Sequence, residues 1–234
     1  MALTGTLVNF GAIIVGGAVG LLFRKGLPQK YMTALMYALG LIVFALGVSY
    51  VLASKQVLAV IISVILGTLL GTVLHLNDRL QRLGDMLQGR MKFGDGRFSE
   101  GFVTSTLLYC VGAMAITGSI QGGLANDHQV LFLKSVMDGV TAIFLASTLG
   151  VGVLFSAIPV LLYQGIIALT AAALSNVLDM AVITEMSAAG GVALMALALN
   201  MTEIKKLNVA DMLPSIFFPI AILPLVNLLT GLFK

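Results

Sequence analysis

Three ionisable side chains fall inside long apolar runs of this chain: Lys134, Asp138 and Glu185. A charged group at the centre of a bilayer helix costs about 2.5–3.5 kcal/mol on insertion scales, so it is kept where it finds a partner or lines water. Lys134 and Asp138 stand four apart and can pair along one helix face, although Lys before acid is the less favourable order. Lys134 is expected to reach Glu185 at least as readily, which leaves Asp138 free to take up and release protons, as carboxylates in pumps do. With all three ionised the cluster carries one net negative charge, which favours a cation or a proton over an anion. Counted from helix starts near Val130 and Met180, Lys134 lies roughly 6 Å deep, Asp138 roughly 12 Å and Glu185 roughly 7 Å. Asn9 falls at a similar depth from Leu3 and adds a neutral ligand. Two plainer readings stand beside this one: Lys134 can snorkel to the interface, and Glu185 sits in water if its span begins at Met186.

Glycines are the second group with chemical meaning. Gly118-Ser119-Ile120-Gln121-Gly122-Gly123 and the pair Gly190-Gly191 would unwind their helices and expose backbone groups to an ion, or else serve as an exit turn and a close-packing site. Gly16 with Gly20, and Gly67 with Gly71, fit the small-residue spacing that lets helices approach closely, inside one protomer or at a homodimer interface. The 12 methionines show no Met-x-x-Met track for copper and read as apolar filler. His75 and His128 lack neighbouring ligands at metal spacing, and the single cysteine, Cys110, excludes an internal disulfide or thiolate cluster. No phosphate loop, metalloprotease motif or nucleophile elbow is present, so neither enzyme activity nor a cofactor nor a metal is expected.

The elements that must position these groups are membrane helices. Hydrophobic residues make up 59% of the 234 and charged residues 10%, against about 25% charged in soluble domains. The net charge of +3 has no basic patch interleaved with aromatics behind it, so nucleic acid is not a partner. About 20 apolar residues cross a bilayer. Eight runs qualify: Leu3–Phe23, Tyr31–Ala53, Val57–His75, Gly101–Ile120, Val130–Gly150, Val153–Ser175, Met180–Met201 and Leu213–Phe233. The near-continuous stretch after Val130 is divided at Gly150-Val151-Gly152. Pro214, Pro219 and Pro224 predict a kinked or broken last span.

Of the 13 Lys and Arg residues, ten fall in alternate loops: Arg24, Lys25 and Lys30, then Arg79, Arg82, Arg90, Lys92 and Arg97, then Lys205 and Lys206. That bias puts the loop over 76–100 in the cytoplasm and both termini outside. Within it Leu76, Leu80, Leu83 and Leu87 recur at helical spacing, with Arg79, Arg82 and Arg90 on the other face. The pattern reads as an amphipathic helix on the inner leaflet, or as a connector packed on the protein itself. Lys92–Glu100, with Gly94 and Gly96, reads as a flexible link.

Thr6-Leu7-Val8-Asn9-Phe10-Gly11-Ala12 and Thr106-Leu107-Leu108-Tyr109-Cys110-Val111-Gly112-Ala113 open two groups of three spans in a similar style. Three is odd, so a second copy would insert upside down, as in transporters whose site lies between inverted repeats. Chance likeness between Leu-rich segments accounts for the same pattern. The organisation expected is one membrane domain: residues 1–75 and 101–178 as the two repeats, 76–100 as surface helix and linker, and 179–234 as a closing helix pair.

The opening GTLVNFGAIIVGGAVGLLFRKGLP, the central GAMAITGSIQGG with LKSVMDG, and the late EMSAAGG and LPSIFFP resemble the YqgA/YdfK-like family of bacterial membrane proteins of unknown function. That resemblance covers nearly the whole chain and implies the bacterial cytoplasmic membrane. It implies no substrate, cofactor or catalytic residue. The expectation is therefore an all-α integral membrane protein of about eight spans that moves a cation or small solute with proton or sodium coupling. The alternative is a scaffold, sensor or assembly component working through the surface helix.

Overall fold

A computed structural model describes residues 1–24, 28–90, 97–174 and 178–232, with the side chains at 29, 83–85, 87–90 and 229–232 left out. Every regular element among the described residues is helical: α1 (Thr4–Arg24), α2 (Gln29–Leu52), α3 (Val57–Val73), α4 (Leu76–Arg90), α5 (Phe98–Cys110), α6 (Ala113–Ala125), α7 (Gln129–Leu149), α8 (Gly152–Phe155), α9 (Ala157–Leu169), α10 (Ala171–Leu174), α11 (Met180–Met201), a 3₁₀ segment (Val209–Ile216) and α12 (Pro219–Leu232). Five helices are long and apolar enough to cross a membrane, and up to eight if each bent pair counts as one span. The protein is an α-helical membrane protein. Its exterior agrees: Leu22, Leu41, Ile65, Val73, Val136 and Ile166 are all more than half exposed, an arrangement lipid tolerates and water penalises.

Breaks fall where local chemistry demands them. α7 stops at Gly150, whose φ of 86° suits a residue without Cβ. Span four is bent by 63° between α5 and α6, at Val111-Gly112, where Gly112 has φ 117°. Of the two readings offered for these glycines unwinding is the one not seen, since Gly118–Gly123 are helix within α6 and Gly190-Gly191 lie inside the continuous α11. These glycines make room for neighbours. A Cβ at Gly118 would press on Leu131, one at Gly123 on the Ala168 carbonyl, one at Gly190 on Val111 and one at Gly191 on the Gly47 carbonyl. The last span divides as its prolines require, a 3₁₀ segment holding Pro214 meeting α12 at 53°. Pro219 opens α12, where a missing N–H costs nothing.

The helices form two compact units that interleave along the chain. One comprises residues 1–39, 79–110 and 114–174, the other 40–78, 111–113 and 175–234. In the first, α1 lies along α7. Its buried residues Thr6, Asn9, Ile13, Gly16 and Gly20 alternate at spacings of three and four, a single stripe down one face. Gly5 faces Leu131, Gly16 faces Gly139 and Gly20 faces Ile143, so the two helices run parallel. α8 and α9 together run antiparallel to α1, with Gly17 at Leu154 of α8 and Leu3 at Gly165 of α9. In the second unit α11 is the enclosed helix, with 78% of its apolar window buried against 22% for α2. Gly67 and Gly71 of α3 receive Ser215 and Asp211 of the 3₁₀ segment. Both small-residue pairs are thus covered inside the protomer. The stretch over 76–90 is the helix α4, with Arg79 and Arg82 exposed. The Arg90 side chain and the link over 91–96, with Lys92, Gly94 and Gly96, lie outside the described residues.

Candidate functional site

α7 turns its polar residues inward and its apolar ones outward. Leu131, Lys134, Ser135, Asp138 and Ala142 are buried, while Leu133, Val136, Met137 and Val140 are at least half exposed. This inverts the arrangement of a helix in water and is what a span needs if its charges are to escape lipid. Lys134 keeps 6% of its surface exposed and Asp138 5%. The Lys134 ammonium donates to both carboxylate oxygens of Asp138 at 2.8 Å. The snorkelling alternative is therefore not what this lysine does.

Two neighbouring helices complete the cluster. Asn9 of α1 donates through Nδ2 to Asp138 Oδ2 at 3.0 Å and to Gln164 Oε1 of α9 at 3.3 Å. Asn9 and Gln164 are fully buried. Asp138 accepts from Asn9, which fixes the orientation of that amide; Asn9 in turn fixes Gln164. α5 packs against α7 and α9, and Tyr109 near its C-terminal end is fully buried. Three buried polar atoms on these packed helices have no partner: Asn9 Oδ1, Gln164 Nε2 and the Tyr109 hydroxyl. Thr6 Oγ1, one turn before Asn9 on the same buried stripe, is also unpartnered. A buried polar atom without a hydrogen bond costs about 1–3 kcal/mol, and the unpartnered atoms of Asn9 and Gln164 lie on the side chains hydrogen-bonded in the chain that starts at Asp138. No group of three or more His, Cys, Asp or Glu that would hold a metal occurs among the described residues.

Glu185 does different work. The expectation that Lys134 would reach it is corrected: the lysine is bonded to Asp138, and Glu185 is occupied elsewhere. Its Oε2 accepts from Ser54 Oγ at 2.5 Å, and its Oε1 accepts from the backbone N–H groups of Lys55 at 2.9 Å and Gln56 at 3.1 Å. Gln56 is the N-cap of α3, so the carboxylate binds the positive end of that helix. At 2% exposure it does not sit in water either. The cluster around Lys134 and Asp138 is consequently neutral rather than net negative. Removing Glu185 as Glu185→Ala strands three donors and is expected to cost about 1–3 kcal/mol, measured as a fall in thermal stability in detergent, with the ion pair on α7 untouched.

Sequence reasoning missed Gln164 and Thr6, although it had singled out the equally uncharged Asn9 by its depth in the first span. The signal for Gln164 was present, a lone amide in the apolar run of α9. It also missed Asp211, buried in the 3₁₀ segment, which accepts from the Asn77 backbone N–H at 2.8 Å and caps the start of α4.

Comparison with known proteins places the whole assembly in context. The chain is 31% identical over 219 residues to the protein named Uncharacterized membrane protein YdfK of Bacillus subtilis (strain 168), covering 92% of this chain and 93% of that protein. It is 27% identical over 217 residues to Uncharacterized protein YqgA of Escherichia coli (strain K12), covering 91% and 92%. No solved structure matches. Residues 4–224 match the family described as Protein of unknown function (DUF554), and the chain belongs to that family.

Proposed function

We propose that this protein is a small transporter, moving a cation or small solute through the site around Asp138, with coupling to a proton or sodium gradient. The observation that carries this reading is the ion pair Lys134–Asp138, buried in a lipid-facing helix and linked by hydrogen bonds to Asn9 and Gln164, each of which keeps an unpartnered polar atom. A pair kept only for structure would be expected to have its surroundings satisfied, because half-satisfied polar networks are worse than an apolar core. Asn9 comes from the first candidate repeat, and Lys134, Asp138 and Gln164 from the second. An interface between inverted repeats is where carriers of this architecture bind their substrate. The Lys and Arg distribution supports a cytoplasmic-membrane protein with its N-terminus outside. α1 and α7 being parallel accords with both starting from that same side.

A transport site faces water at some stage, and accessibility tests this. In a Cys110→Ser background, Asn9→Cys should react with a membrane-impermeant thiol reagent added to the outside of cells. Complete protection under every condition that changes the cation gradient would count against the proposal.

The scaffold reading rests on α4, where Arg79 and Arg82 are exposed and available to anionic headgroups or a partner. It makes the opposite demand: neutralising those arginines should abolish function, and neutralising Asp138 should not.

A further inference from the structure

We infer that the site opens by movement of α1 and α7, as one rigid body, against a second body made of α5, α6, α8 and α9, and that the seam between the two bodies is the way in to Asp138. The inference rests on the transport reading above and assigns its moving parts.

Glycine contacts divide the first compact unit. α1 and α7 meet backbone to backbone: a Cβ at Gly16 would overlap the Gly139 carbonyl, and one at Gly20 the Ile143 carbonyl. The same closeness joins α5 to α8, where a Cβ at Gly152 would overlap the Phe98 carbonyl, and α6 to α9, where one at Gly123 would overlap the Ala168 carbonyl. Phe98 also meets Phe155 of α8 with ring centroids 5.3 Å apart, and α5 packs against α9. Between the two groups side chains make the contact: Leu154 covers Gly17, Leu3 lies over Gly165 and Leu131 lies against Gly118. Helices joined through side chains can slide past one another, whereas backbones pressed together move as a unit.

The joints fall where this division needs them. Among the described residues the chain passes between the bodies at two points, the turn before α7 and the break after it. Asn126 stands at the first with φ 55° and Gly150 at the second with φ 86°, the left-handed region that Gly and Asn enter most readily. Where backbone of one body does come near the other, the contact adjoins a joint. A Cβ at Gly122 would lie 3.4 Å from the Ala2 carbonyl, and one at Gly101 3.2 Å from the Leu149 carbonyl.

The seam also collects unmet polar atoms. Thr6 lies about three turns before Gly17 and so shares its face of α1. Its hydroxyl makes no bond back to its own helix, although those of the buried Ser105, Ser119 and Ser135 do. Asn9 and Gln164 meet across the seam at 3.3 Å, and each keeps an unpartnered atom. The shorter bonds, 3.0 Å from Asn9 to Asp138 and 2.8 Å from Lys134, lie within the α1–α7 body. Parting the seam therefore breaks the longest bond of the network, lets water meet Thr6, Asn9 and Gln164, and brings Asp138 to water with its ion pair whole.

The test uses the full chain carrying Cys110→Ser in lipid. Val15, Val136 and Ile166 are all more than half exposed and accept spin labels as cysteine variants. Double electron–electron resonance should give more than one distance for Val15→Cys with Ile166→Cys, across the seam. Val15→Cys with Val136→Cys, inside one body, should give a single narrow distance. One distance for both pairs, with and without sodium or rubidium, would overturn the inference, and so would equal spread in both. Disulfide locks then connect the movement to transport. Gly17→Cys with Leu154→Cys spans the seam, a Cβ at Gly17 lying 3.7 Å from Leu154 Cα; Ala12→Cys with Gly139→Cys stays inside one body, with its Cβ atoms 3.3 Å apart. Both pairs are near the reach of a disulfide. Oxidation should abolish proteoliposome uptake of radiolabelled sodium and rubidium in the first pair, with recovery on reduction, and spare it in the second. Uptake that persists through the seam lock would overturn the inference and leave transport through Asp138 standing. Uptake of neither cation by wild type would sink the transport reading, and the spin-label distances would then decide by themselves whether the two bodies move.

Discussion

Lys134→Met should destabilise the folded protein by about 3–5 kcal/mol, the range seen when one partner of a buried ion pair is removed and the other stays behind unpaired. After the substitution Asp138 keeps one hydrogen bond, from the Asn9 amide at 3.0 Å, in place of three. The loss belongs to the stranded charge and not to the pair, so Lys134→Met combined with Asp138→Asn should recover much of it. Thermal unfolding of the two single variants and the double variant in detergent gives the coupling directly. Additive losses would show that the two side chains do not depend on each other.

Gly16→Ala should be nearly as damaging, although it adds one methyl group. A Cβ at Gly16 would overlap the carbonyl oxygen of Gly139, a backbone atom that no rotamer change can move aside. α1 must then stand off from α7, which stretches the Asn9–Asp138 bond two turns away. Overpacking of this kind costs about 1–3 kcal/mol, and the site loses its geometry with it. Gly11 is the internal control, since a Cβ there meets nothing within 4 Å. Gly11→Ala should be neutral, or stabilising by about 0.5–1 kcal/mol through helix propensity. Melting temperatures that do not separate the two variants would show that α1 and α7 are not in close contact.

Span lengths were legible because the bilayer sets them. Apolar runs of about 20 residues, Gly150-Val151-Gly152 and Pro219 each marked a boundary that is present in the fold, while Pro214 and Pro224 lie inside their helical segments. The break in span four was not. Gly118, Gly122 and Gly123 attract notice as helix breakers, yet in lipid a glycine more often serves close approach, and the break falls at Gly112, whose positive φ requires it. Half of the site was legible for a similar reason. Charge inside an apolar run is conspicuous, so Lys134, Asp138 and Glu185 stood out. Their pairing depends on tertiary placement. Lys134 met the acid one turn away, and Glu185 met the N-terminus of α3, a partner that sequence distance conceals. Neutral members such as Gln164 cost little enough in a span to pass as background, and the fold alone shows that Asn9 of α1 reaches the carboxylate and Gln164 of α9 reaches Asn9.

The most direct test of the account is uptake of radiolabelled sodium and rubidium into proteoliposomes under imposed proton and cation gradients. Wild type would be compared with Asp138→Asn and with Arg79→Gln/Arg82→Gln. The account predicts uptake of at least one of these cations by wild type, loss of that uptake in Asp138→Asn while the protein remains folded and monodisperse, and retention in the arginine variant. Uptake that survives Asp138→Asn, or that is absent from folded wild type under every gradient, would contradict it.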